Sequence, residues 1–121
     1  MKILYFFTSH RHQDEIAYNA AFFNKSKFLR QNVENVVCWC NDQTKSEEVL
    51  QAHLNNFDCR TNLIMSPVNA GWQLGSLQAL AMFSQNFEPY DYVLFASGPD
   101  VYVVNDKMLE NTLILGQHAD V

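Results

Sequence analysis

The sequence predicts an α/β fold, a three-layer α/β/α open sheet that is mostly parallel. Two observations carry this. Apolar β-type runs alternate with segments of helical periodicity, and the strand centres lie far enough apart for a helix to cross between them. The 121 residues form one domain's worth of chain, with 48% hydrophobic and 17% charged residues, which is ordinary for a globular core.

The elements follow in order. "KILYFFTS" (2–9) is a continuous apolar run with a polar end, as in a strand buried on both faces. "DEIAYNAAFFNKSKFLRQN" (14–32) has Asp14 and Glu15 in its first turn, Ile16, Ala20 and Phe23 on one face and basic residues near its end, which predicts one helix. "ENVVCWCND" (34–42) is rich in β-branched and aromatic residues and predicts the second strand. Thr44 to Glu47 spells T-x-x-E, a capping box, and Leu50, Leu54 and Phe57 follow at helical spacing. "RTNLIMS" (60–66) predicts a third strand, "GWQLGSLQALAMFSQNF" (71–87) a helix and "YDYVLFAS" (90–97) a fourth strand. Beyond the turn "GPD", "VYVV" (101–104) reads as a short extended piece, and Asn105 or Asp106 as the cap of a last helix. The β-α-β-α-β-α-β order implies right-handed crossovers and a Rossmann-like open sheet.

Several function classes are disfavoured by composition. The formal charge of −5, with eight scattered basic residues, gives no basic strip to follow a phosphate backbone, so nucleic acid is not an expected partner. The apolar opening is too short for a signal peptide, and no stretch reaches the ~18 apolar residues of a membrane span. Cys38, Cys40 and Cys59 form no CxxC pair and lack zinc-ligand spacing. The expected compartment is therefore the reducing cytoplasm.

Candidate chemistry lies where the strands end. In an open parallel sheet, ligands bind outside the carboxyl ends of the strands. There the chain carries Thr8, Ser9, His10 and Arg11, then Asn41 and Asp42, then Ser66 with Asn69 and Gly71 behind it, and finally Ser97, Gly98 and Asp100. Hydroxyls, carboxylates and a guanidinium near helix N-termini suit a nucleotide. Gly71 and Gly75, four apart where a helix opens, mark a close backbone approach by a ligand or by a neighbouring strand. GxxxxGK[ST] and GxGxxG are both absent, and the first turn has no paired acids of the receiver type. His10 and His12 form an HxH in a loop, which offers no fixed metal-binding face. Trp39 reads as core, Trp72 as core or as a stacking platform, and Tyr5, Phe6, Phe7, Phe22, Phe23 and Phe28 as packing between the first strand and helix.

Taken together, "TSHR" after the first strand, "CND" after the second, "NAGWQLGSLQAL" opening the third helix and "YDYVLFASGPDVYVVN" across the fourth strand resemble the nucleotide-sugar half of GT-A fold glycosyltransferases. The resemblance spans about residues 2–115. It implies that Thr8, Ser9, Arg11 and Asp42 hold the base and ribose, that Asn69, Gly71 and Gly75 flank the sugar nucleotide, and that Asp100 stands at the DxD position. Gly71 would then admit the donor to the backbone, and Gly75 would let the helix pack on the sheet. The implied activity is transfer of a sugar from a UDP- or GDP-sugar to the hydroxyl of a glycan or glycoconjugate acceptor. The implied cofactor is a divalent cation, Mn²⁺ or Mg²⁺, at Asp100. The DxD position reads Asp100-Val101-Tyr102, so its second carboxylate is missing, and only about twenty residues follow it. The expectation is a compact relative or the donor-binding portion of a longer enzyme. No catalytic base is assigned, since Asp91 and Asp106 read as a strand-start residue and a helix cap. Two other readings stand beside this one: a sugar nucleotidyltransferase, against which the missing glycine-rich first loop speaks, and a non-catalytic α/β binding module.

Overall fold

A computed structural model of the chain describes residues 2–9, 13–40, 45–65, 90–97, 106–107 and 110–111. Its strands are β1 (Ile3–Ser9), β2 (Val33–Cys40), β3 (Thr61–Met65) and β4 (Tyr92–Ser97). Its helices are α1 (Gln13–Lys25), α2 (Lys27–Asn32) and α3 (Glu47–Leu54). The strands form one sheet in the order β3-β2-β1-β4, with every neighbouring pair parallel. The predicted α/β open parallel sheet is therefore the observed one.

Residue alternation explains both faces of the sheet. Ile3, Tyr5 and Phe7 of β1, Val36, Cys38 and Cys40 of β2, and Leu94 and Ala96 of β4 share one core cluster with Ile16, Ala20 and Phe23 of α1 and Leu50 and Leu54 of α3. Within it, Phe23 meets Tyr5 and Phe57 edge to face, at centroid distances of 5.9 and 5.4 Å. The Tyr5 hydroxyl donates to Asn19 Oδ1 (2.7 Å), and Asn19 Nδ2 donates to the Glu15 carbonyl (2.9 Å), so this buried polar pair is satisfied locally. On the opposite face Leu4, Phe6, Val37 and Trp39 form a second cluster, and Phe6 stacks on Phe95 at 5.5 Å. Phe6 thus leaves the aromatic group expected between β1 and α1, because its even position turns it to the other side of the sheet. Trp39 is core, as its strand position implied.

Three boundaries differ from the expected ones. The single helix over 14–32 is broken at Ser26, which has extended backbone (φ −93°, ψ 109°) and caps α2 by accepting from Leu29 N. The N-cap of α3 is Ser46, not Thr44: its hydroxyl accepts from Val49 N, and Glu47 and Glu48 occupy the first turn. Phe57 lies beyond the end of α3 and enters the core from the following turn. At the step from Ile3 to Leu4 of β1 the register with β2 shifts by one residue, so that Glu34 of β2 faces solvent without displacing the apolar residues that follow. The helix over 71–87 and the extended piece at 101–104 lie outside the described residues. Among the described residues, no helix is long and apolar enough to cross a membrane.

Candidate functional site

The strand order fixes where a ligand crevice opens. The chain steps from β1 to β2 to β3 in one direction and then returns to place β4 on the other side of β1. The connections therefore diverge between β1 and β4, and the carboxyl ends of these two strands flank the switch point of the sheet. Their last paired residues are Thr8 and Ser97, opposite each other in register, with Ser9 one residue further on.

Of the residues assigned to nucleotide binding, Thr8 and Ser9 lie within the described chain, and both are buried, with 0% and 1% of their surface exposed. They turn to opposite faces. Thr8 shares the face of Leu4 and Phe6, in register with Trp39 of β2. Ser9 shares the face of Tyr5 and Phe7, in register with Cys40. The Ser9 hydroxyl has no hydrogen-bond partner among the described residues. An orphaned buried hydroxyl costs about 1–3 kcal/mol, so this one calls for a partner beyond the described residues. Arg11, Asp42, Asn69, Gly71, Gly75 and Asp100 lie outside the described residues, as do His10, His12 and Trp72.

Helix α1 starts four residues after Ser9 and packs back over the same face, as the bond from Tyr5 to Asn19 shows. Its first turn therefore lies toward the carboxyl end of β1, the end of a helix whose dipole favours negative charge. Glu15 in this turn is buried to 8% exposure. Burial pushes the Cys38 thiol well above its ordinary value, and the nearby Cys40 and Glu15 add to the effect. Cys38 is thus a neutral packing residue, not a nucleophile. Sequence reading placed Glu15 only in a helical first turn; its burial comes from the packing of α1 over the sheet.

Among the described residues, no group of three or more His, Cys, Asp or Glu side chains is placed to hold a metal ion. A solvent-facing groove of about 690 Å³ lies along α3, lined by Ser46, Glu47, Glu48, Gln51, Ala52 and Asn55, away from the carboxyl ends of β1 and β4. Its walls come from one helix and its cap, with no converging groups from a second element. Comparison with protein-family models, with curated proteins and with solved structures finds no match to this chain. The fold defines the class: an α/β protein with an open parallel sheet whose strand order reverses between β1 and β4.

Proposed function

We propose that the chain is the nucleotide-sugar-binding portion of a glycosyltransferase, with the donor seated at the switch point between β1 and β4. The observation that carries this reading is the buried Ser9 hydroxyl at the carboxyl end of β1, beside Thr8 and without a hydrogen-bond partner among the described residues. A nucleoside presents hydroxyls and ring heteroatoms that pair with such a group, and the α1 amides favour negative charge nearby.

In this proposal Thr8, Ser9, Arg11 and Asp42 hold the base and ribose, while Asn69, Gly71 and Gly75 border the sugar. Transfer breaks the bond between the sugar's anomeric carbon and the diphosphate oxygen, and forms one to the acceptor's hydroxyl oxygen. The leaving diphosphate takes the electron pair, and the hydroxyl proton passes to a base outside the assigned residues. Arg11 and helix-terminal amides supply positive charge to the leaving group. Asp100 is the carboxylate proposed to hold a divalent cation, which would neutralise the same charge when bound; one carboxylate plus water and phosphate oxygens is a sufficient set for such an ion.

The test is a calorimetric titration of the 121-residue chain with UDP, GDP and their common sugar conjugates, with and without Mn²⁺, repeated on Asp100→Ala. The expected outcome is binding of one nucleotide class, weakened by the substitution. Absence of binding by every nucleotide at high protein concentration overturns the reading in favour of a non-catalytic module.

A further inference from the structure

The outer face of α1 is apolar where a helix covering one side of a sheet is normally polar. Its sheet side carries Glu15, Ile16, Asn19, Ala20 and Phe23, all buried. At about 100° per residue, Tyr18, Ala21 and Lys25 fall on the opposite side, flanked by Ala17 and Phe22. Ala17, Tyr18, Ala21 and Lys25 are exposed and Phe22 is half-buried. Tyr18, at 53%, is the most exposed large apolar side chain among the described residues. Lys25 is the single charge among these five positions. Helix α3, packed on the same core cluster, instead turns Glu47 and Glu48 to solvent.

This face has the spacing of a helix-pairing seam. Positions 14, 18, 21 and 25 alternate steps of four and three, the repeat that keeps one stripe of a helix turned toward a neighbouring helix. The stripe is also complementary to itself. When a second α1 runs antiparallel about a two-fold axis level with the midpoint of residues 19 and 20, Tyr18 comes level with Ala21 of the second copy and Phe22 with Ala17. Each ring then meets a methyl group, which admits helix axes to about 8–10 Å. Lys25 comes level with position 14, where the sequence has an aspartate, so opposite charges meet at both ends. A parallel copy would instead set Tyr18 against Tyr18 and Lys25 against Lys25.

We propose that the outer face of α1 is a self-association surface, on which a second copy of this chain packs its own α1 antiparallel, with Tyr18 of each copy seated on Ala21 of the other. This surface is independent of the donor-binding reading. The seam from position 14 to Lys25 is about 16 Å long, with one helix contributed by each copy. Such a contact lies at the small end of specific interfaces, so the dimer is weak and reversible. The charge pairs at its ends fix the direction of packing more than they add strength.

The experiment is analytical ultracentrifugation of the full chain at low salt, from about 10 μM to about 1 mM, with circular dichroism to confirm that each variant is folded. The unmodified chain should show a monomer–dimer equilibrium. Ala21→Glu, which sets a charge under Tyr18 of the second copy, should weaken dimerisation at least about tenfold, and Tyr18→Ser, which removes the ring without adding charge, should do the same. Lys25→Asp should weaken it about fivefold, and the double variant Asp14→Lys with Lys25→Asp should restore it. A chain that stays monomeric over the whole range overturns the proposal. So does a dimer that folded Ala21→Glu and Tyr18→Ser leave unchanged, because its contact then lies elsewhere. Failure of the double charge reversal to recover what Lys25→Asp loses overturns the antiparallel arrangement.

Discussion

A serine at the end of a central strand can send its hydroxyl to a backbone carbonyl or to solvent, and Ser9 has neither arrangement among the described residues. Its position next to Cys40, with Tyr5 and Phe7 on the same face, surrounds it with apolar neighbours that cannot accept its proton well. Ser9→Ala should therefore hold or raise stability, by up to about 1 kcal/mol in a denaturant titration, since the orphaned group disappears without leaving a stranded partner. The same variant should bind nucleotide more weakly. A clear loss of stability would show that the hydroxyl is already satisfied within the fold and would remove the main support for the proposed site. Cys38 and Cys59 teach a related lesson. Cys59, half-buried, is raised chiefly by burial, and its Sγ donates to the Val33 carbonyl at 3.3 Å. These are packing thiols, in keeping with the absence of any paired cysteine motif.

At the scale of elements, polar side chains set the boundaries that periodicity left open. Nothing in the apolar spacing of 14–32 marks the break at Ser26. Phe23, Phe28 and Leu29 are all buried and fit a continuous amphipathic pattern. The break forms because Ser26 caps α2 and donates to Asp106 from a distant part of the chain, a stabilisation invisible to local propensity. Asn24 acts similarly between elements: its Nδ2 donates to the Asn56 carbonyl (2.7 Å) and its Oδ1 accepts from the Asp58 amide (2.8 Å), clamping the turn after α3 to the end of α1. Asn24→Ala loses both bonds at an exposed site. The expected cost is about 1–2 kcal/mol by chemical denaturation, with faster amide exchange confined to residues 55–60.

For the molecule as a whole, the Asp106 contact predicts a distinct response to acid. The folded-state pKa of Asp106 is depressed, by the Ser26 hydroxyl first and the Phe28 amide second, so the unfolded chain binds this proton more readily than the folded one. Its contribution is present above the ordinary carboxylate value and is lost as pH falls through the lower folded value. Denaturation midpoints of the unmodified chain should therefore decline below about pH 5, and the decline should be shallower in Asp106→Asn. Parallel pH profiles would mean that the contact adds nothing net in solution. The pH difference between the two proteins is the useful readout, because other carboxylates titrate in the same range and cancel.

The sequence by itself determined the α/β class, the four strands and the buried face of α1, because burial on a sheet or a helix writes its period directly into the residue order. It also placed Thr8 and Ser9 at a strand end, where polar residues interrupt an apolar run. Only the tertiary structure decided the strand order that puts β4 beside β1, the opposite facing of Phe6, the burial of Glu15 and the partnership of Asp106 with Ser26. Each of these depends on which distant segments meet. A local pattern records how a residue is buried, whereas the neighbour that buries it is chosen by the packing of the whole chain.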